Sequence, residues 1–365
     1  MAQPCSLPSD ALFLGLDSSS QSLKATVLDS SFRVLLSSSV HFDSELPHFN
    51  TKDGVHRGPE GKVTAPVLMW VEALGLLLDK LKQNNFPFAR VKAVSGSGQQ
   101  HGSVYWRRIC SSPGKILKTL DASKDLHLQL EDAFSTLHSP IWMDSSTSKQ
   151  CRSIEATLGG ADVLANITGS RAYERFTGPQ IRKLYECERH VYDNTERISL
   201  VSSFMASLLF GDYVGIDYSD GAGMNLMDLK QRVWSKAVLD ATAPGLQEKL
   251  GNLAPSHEVA GKLNAYFVES QPNDKIDDVV AKEENKGGVD NHVPNNDDMA
   301  DKEELEVVDE EELDIEEDLR STRVGEKLCL ELEIDNDAMQ DLIEDASTGT
   351  LCMYLSQIKC VLKKV

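Results

Sequence analysis

The chain has 365 residues and is acidic, with 57 Asp and Glu against 37 Lys and Arg and a net charge of −20. A surface of that sign argues against nucleic acid or an anionic membrane as the main partner, and no apolar run approaches the roughly 18 residues that span a bilayer. Met1 to Ala11 carries Asp10 but no Lys or Arg, and the seven cysteines are scattered without a Cys-x-x-Cys pair; no secretory signal, transit peptide, zinc site or dithiol site is expected, and reduced thiols in the cytoplasm are.

The first elements are short and β-like. Leu12 to Leu16 is an apolar run ending at Asp17, and Leu23 to Leu28 and Arg33 to Val40 follow as further strands. Polar turns at Ser18 to Ser22 and Asp29 to Phe32 join them into a hairpin-rich start. The first turn offers hydroxyls and backbone amides in a tight concavity, which suits phosphate oxygens. Asp17 beside it is a candidate Mg²⁺ ligand, direct or through water. Ser19, Ser20, Gln21 and Lys24 complete that candidate phosphate and nucleotide element, with the alternative of a plain serine-rich turn.

Ala65 to Lys82 reads as an amphipathic helix, with Leu68, Val71, Leu74, Leu77, Leu78 and Leu81 on one face. Val91 to Ser95 is the next strand. It runs into Gly96-Ser97-Gly98-Gln99-Gln100-His101-Gly102, a Gly-rich polar loop of the kind that open α/β folds place at their ligands. Gln100 and His101 are candidate substrate contacts there, against the alternative of a plain turn. Trp142-Met143-Asp144 joins an apolar face to a carboxylate, which makes Asp144 a candidate sugar ligand. A buried structural Trp is the alternative.

Helices are expected at Lys149 to Leu158, Gln180 to His190 and Ser202 to Phe210. Before the second, Arg171 to Gly178 carries two arginines. Arg175 is a candidate donor to sugar hydroxyls, and Arg171 is expected in an internal Arg–Glu pair. Asp220 lies among small residues in Ile216 to Met224, where a carboxylate within reach of a hydroxyl can accept its proton. Asp217 is its rival.

Composition changes near Val268. Residues 1–268 hold all four Trp, all eleven Phe and seven of the eight Tyr; residues 271–320 hold twenty acidic against five basic residues. High charge with few aromatics is the signature of disorder. The expected division is a flexible N-terminus at 1–11, an α/β domain at 12–268, an acidic disordered segment at 269–323 and a small unassigned segment at 324–365. In that last segment Lys327 to Ile334 alternates like a strand, Asp337 to Glu344 suggests helical turns, and Leu351 to Val365 is an apolar stretch with a basic end.

Taken jointly, the motifs resemble those of the FGGY carbohydrate kinases, and within them the xylulokinases of eukaryotes and plants. The residues that carry the resemblance are Phe13 to Lys24, His41 to Asp43, Gly54-Val55, Ser95 to Trp106, Trp142 to Ser146, Gly169 to Gly178, Glu196 to Ser203 and Asp217 to Leu226. The resemblance covers about residues 12–268. It implies a ribonuclease-H-like first domain of the actin and hexokinase type, and ATP- and Mg²⁺-dependent phosphorylation of D-xylulose to D-xylulose 5-phosphate. By position it implies Asp220 as catalytic base, Asp17 and its turn as the first phosphate and Mg²⁺ element, and His101 and Arg175 as sugar ligands. The family's second domain, with its Asp-Asn pair and second phosphate loop, is not matched after residue 268, so a truncated and weakly active or inactive kinase is expected. A non-catalytic sugar-binding protein, or one that pairs with a full-length kinase, is the alternative.

Overall fold

The structure is a computed structural model that describes residues 10–108, 114–269 and 280–282, all within one compact unit. Its elements in chain order are β1 (Leu12–Ser18), β2 (Ser22–Leu28), β3 (Val34–His41), β4 (His56–Arg57), β5 (Val63–Pro66), α1 (Val67–Gln83), β6 (Val91–Gly98), β7 (Ser103–Arg107) and β8 (His138–Pro140). They continue with α2 (Ser148–Leu158), α3 (Thr177–Cys187), β9 (Thr195–Leu200), α4 (Val201–Phe210), α5 (Tyr218–Gly223), β10 (Val259–Gly261) and β11 (Val280–Lys282), besides shorter turns of helix and strand.

The main sheet has the order β10-β11-β6-β1-β2-β3. β1, β2 and β3 form the expected antiparallel meander, while β6 runs parallel to β1 and β11 parallel to β6. Three antiparallel strands extended by parallel ones are the core of a ribonuclease-H-like α/β fold. β1 is central and nearly all buried, so it reads as a continuous apolar run; β3 lies at the edge and is half exposed.

α1 packs against β2 and β3, and α4 against β6, β11 and β1. α4 is buried on nearly every side, which explains why its sequence is apolar throughout rather than striped. Trp70, Trp106 and Phe204 sit in this main core. A second core gathers Tyr105, Ile154 of α2, Ile181 of α3 and Tyr192. Among the described residues no helix is long and apolar enough to cross a membrane.

Three elements differ from the sequence reading. The sheet extends past the boundary placed at 268, because β11 lies inside the tract read as disordered. Its apolar residues, Val280 and Ala281, form too short a run among charges to stand out. α3 begins at Thr177 rather than Gln180, since Pro179 in its first turn needs no N–H partner. It stops at Cys187, and a separate short helix runs from Arg189 to Asn194. Residues 103–107, read only as the end of a loop, form β7 and pair antiparallel with β9. The strand, helical turns and apolar end expected beyond residue 324 lie outside the described residues.

Candidate active site

The β1–β2 turn sets the first part of the site. Register places Asp17 opposite Lys24 on one side and Ser97 on the other. Ser97 Oγ lies 3.3 Å from Asp17 Oδ1. Burial raises the Asp17 pKa above the ordinary carboxylate value, against the opposing pull of Lys24 and Ser97. A raised folded-state pKa means that ionising Asp17 works against the fold at neutral pH, the contribution being favourable below the unfolded value and lost as pH rises through the folded one. Asp17→Asn is therefore expected to raise Tm in a thermal melt at pH 7; a lower Tm would contradict the reading.

Ser19 and Ser20 have different fates. The Ser19 hydroxyl donates to the Ser22 carbonyl at 3.0 Å, so it closes the turn and its proton is not available to a phosphate oxygen. Ser20 Oγ accepts from Trp142 Nε1 at 2.8 Å and keeps its own proton to donate. Gln21 and Lys24 are exposed at the turn. The turn is braced from below: Phe42 N donates to the Gln21 carbonyl at 2.9 Å, and the Asp43 carboxylate gathers Thr51 Oγ1, Asp53 N and Gly54 N.

The Gly-rich loop is the second part. β6 runs on to Gly98, and Gln99 N donates to the Ser18 carbonyl at 2.8 Å, which ties the loop to the phosphate turn. A Cβ on Gly98 would stand 2.7 Å from Ser202 N and 2.8 Å from Val201 Cγ1, so only glycine lets the loop approach α4 this closely. His101 has φ of 63°, a left-handed conformation in which His is enriched among non-glycine residues. Its ring meets Phe176 edge-on with centroids 5.1 Å apart and bonds to the Gly223 backbone. Burial, with Arg175 nearby, lowers its pKa to about 4, so the imidazole is neutral at physiological pH. Between pH 6.5 and about 4 the unfolded chain takes a proton that folded His101 refuses, so stability falls as pH falls through that window. His101→Gln is expected to flatten that slope in melts taken across it; an unchanged slope would contradict the assignment. Gln100 is half-buried, and its backbone carbonyl accepts from Gly102 N at 2.7 Å.

Asp220 is the third candidate, and it and Asp217 have different surroundings. Asp217 is the N-cap of α5, fully buried, accepting from Ser219 N at 2.9 Å and Asp220 N at 3.0 Å. That is a structural task. Asp220 keeps 8% of its surface exposed, and the Ser202 hydroxyl donates to its Oδ2. Because Ser202 belongs to the first turn of α4 that Gly98 touches, the carboxylate is anchored to the Gly-rich loop.

Arg175 is the fourth part. Its guanidinium carbon stands 5.6 Å from the centre of the Trp142 ring and 5.8 Å from that of Tyr173, and among the described residues no carboxylate lies within ion-pair distance. Arg171 does pair, but with Glu155 at 3.6 Å rather than with neighbouring Glu174, which accepts from Ser148 Oγ at 2.9 Å. Asp144, expected as a sugar ligand, has partners within the protein. It is 1% exposed, and its carboxylate already accepts from Val63 N, Ser146 N, Ser146 Oγ and Gln180 Nε2. Three of these donors converge on Oδ1 and one on Oδ2, so the carboxylate holds the 142–146 turn.

Residues 131–273 match the N-terminal domain of the FGGY family of carbohydrate kinases. The chain is 61% identical over 266 residues to xylulose kinase 2 of Arabidopsis thaliana, covering 72% of this chain and 47% of that protein. It is 52% identical over 257 residues to xylulose kinase of Rattus norvegicus, covering 70% of this chain and 47% of that protein. The family match is to this one domain. The chain spans about half the length of the curated relatives it matches. Among solved structures, a xyloylose kinase from Brucella ovis superposes with a TM-score of 0.58 at 20% identity over 74% of this chain and 47% of that one. Plasmodium falciparum glycerol kinase with ADP superposes with a TM-score of 0.58 at 15% identity over 75% and 48%. Both support the fold.

Three further side chains, not nominated from sequence, lie against the candidate residues. Ser202 holds Asp220, Phe176 backs His101, and the Gln99 carboxamide is buried with no hydrogen bond to a described residue. A buried carboxamide without a protein partner calls for a water or a ligand group. Gln99 stood in the motif beside Gln100, so its type was visible in the sequence; which of the two turned inward was not.

Proposed function

We propose that the site binds D-xylulose and presents its terminal hydroxyl for ATP-dependent phosphorylation, giving D-xylulose 5-phosphate. The observation that carries this reading is the continuity of contacts from Ser20 through Trp142 to Arg175, and from Gly98 through Ser202 to Asp220, with His101 against the backbone of Gly223. The names of the relatives, xylulose kinases, supply the sugar.

In this reading Arg175 and neutral His101 donate to and accept from sugar hydroxyls, and Asp220 takes the proton from the attacking hydroxyl. Phosphoryl transfer depends chiefly on alignment and charge neutralisation, with one group orienting the nucleophile. The Ser18 to Ser22 turn supplies backbone amides and the Ser20 hydroxyl to phosphate oxygens. Mg²⁺ fits Asp17, an oxygen ligand whose ionised form the fold disfavours and a cation would favour. Mg²⁺ is commonly held by one or two carboxylates together with phosphates and waters, and no group of three or more acidic, His or Cys side chains is gathered among the described residues. When bound, the cation neutralises developing charge on the transferred phosphoryl group.

Phosphorylation is tested by incubating the 365-residue chain with ATP, Mg²⁺ and D-xylulose, D-ribulose or glycerol, and detecting the phosphorylated product. Product from D-xylulose above the other two supports the reading. Product from glycerol alone sinks the choice of sugar, and sugar binding without product favours a binding protein over an enzyme.

A further inference from the structure

A cavity of about 300 Å³ lies between the small sheet β4-β5-β8 and α3. The sheet brings His56 and His138, 82 positions apart in sequence, to a ring separation of 5.8 Å. Arg57, Lys62 and Lys183 line the same cavity. Their own partners are weak. Arg57 meets Asp53 at 3.6 Å and Lys62 meets Glu188 at 3.8 Å, both largely exposed pairs of a kind that contributes little. Half-buried Lys183 donates to the neutral Ser146 hydroxyl at 2.6 Å. The acids facing the cavity are Glu188 and Asp144, and the Asp144 carboxylate is already held by four donors.

His56 Nε2 lies 2.8 Å from the Phe49 carbonyl, and a carbonyl only accepts, so the ring donates through Nε2 and turns Nδ1 to other work. Burial, with His56 and Lys62 beside it, pushes the His138 pKa down, against the opposing pull of Glu188. Cations are thus gathered here at some expense and without full neutralisation. Three cations face two carboxylates, and the missing complement is an anion that accepts hydrogen bonds from several directions.

We propose that this cavity is a second ligand site, for the phosphate group of a phosphorylated small molecule, bound by Arg57, Lys62, Lys183 and the two histidines. Guanidinium and ammonium donors make short charge-assisted bonds to phosphate oxygens. The volume is at the small end of ligand pockets, about 300–1,000 Å³, which leaves room for a few carbons beside the phosphate. A bound dianion favours protonated imidazole, so affinity rises as pH falls through the His138 pKa. The site is independent of the assignment of Asp220, and its test does not use phosphorylation.

The test is calorimetric titration of sulfate, inorganic phosphate and glycerol 3-phosphate into the 365-residue chain, alongside Arg57→Gln, Lys62→Gln and Lys183→Met. Arg57 and Lys62 are exposed, so their variants should fold even if the Lys183 variant does not. Sulfate remains a dianion between about pH 5 and pH 8, the range in which histidines titrate, and therefore isolates the protein's protonation. The expected result is saturable binding, tighter at the lower pH, about tenfold weaker in each variant (about 1.4 kcal/mol), with glycerol 3-phosphate tighter than phosphate. No saturable binding, or binding indifferent to the substitutions, overturns the site. Equal affinity for phosphate and glycerol 3-phosphate overturns the small-molecule assignment in favour of the free ion.

Discussion

Asp220→Asn is expected to lower the rate of D-xylulose phosphorylation by about 10²- to 10⁴-fold, the usual contribution of a positioned general base. The substitution is nearly isosteric. Asp217 still caps α5 through Ser219 N and Asp220 N, and the Ser202 hydroxyl still has an oxygen to donate to at position 220. What is lost is the ability to take a proton from the attacking hydroxyl. Affinity for the sugar should therefore change by less than about tenfold, because the loss falls on the transition state rather than on binding. Ser202→Ala should fall between the wild type and Asp220→Asn, since it frees the carboxylate without removing it. Rates are to be measured at saturating sugar across a pH series. An Asp220→Asn variant that retains the wild-type rate would remove Asp220 from the chemistry.

Gly54→Ala is expected to be the most damaging single-methyl addition at the site. Gly54 has φ of 73°, and an added Cβ would fall on the carbonyl oxygen of Ser20 and 3.1 Å from the Phe42 ring. Left-handed backbone costs an L-residue roughly 1–2 kcal/mol, and overpacking adds about 1–3 kcal/mol. A total near 3 kcal/mol corresponds to a Tm drop of roughly 6–12 °C for a domain of this size. The strain also moves the Ser20 turn, so sugar and phosphate contacts weaken together. Gly75 in α1 is the control: nothing lies within 4 Å of its added Cβ, and Gly75→Ala should stabilise the helix by about 0.5–1 kcal/mol. Two melts of opposite sign from the same Gly→Ala change would separate crowding at the turn from any general effect of the substitution. A Gly54→Ala protein that melts with the wild type would contradict the packing beneath the phosphate turn.

The parts of the fold that were legible are those fixed by local patterning. β1 to β3 are joined by turns of a few polar residues, and α1 carries its apolar face at helical spacing, so neighbours in sequence decide them. The failures are non-local. β7 pairs with β9 across some ninety residues, and β11 finds β6 from within an acidic tract. In the candidate site, residue types nominated Asp17, His101, Arg175 and Asp220. Burial and partners then sorted them from their neighbours. Asp144 looked equally available in sequence, but Val63 from β5 and Gln180 from α3 converge on its carboxylate, and no local pattern encodes that. Ser19 and Ser20 are the same residue type side by side, yet one closes the turn and the other faces Trp142. Ser202 was hidden because its partner Asp220 sits on a different helix. The His56 and His138 pair was hidden because only the fold brings β4 and β8 into one small sheet.

The proposed function places the sugar against His101, Arg175 and Asp220. Calorimetric titration of D-xylulose into the 365-residue chain tests it most directly, with Arg175→Ala and His101→Ala as paired variants. Arg175 makes ring contacts but no ion pair among the described residues, so its removal should spare the fold. The account predicts saturable binding that Arg175→Ala weakens by about tenfold or more, the order of one or two lost charge-assisted hydrogen bonds at about 1.5–3 kcal/mol each, with a similar loss in His101→Ala and no fall in Tm for the arginine variant. Absence of saturable binding by the wild-type chain, or binding that both variants leave intact, would contradict it.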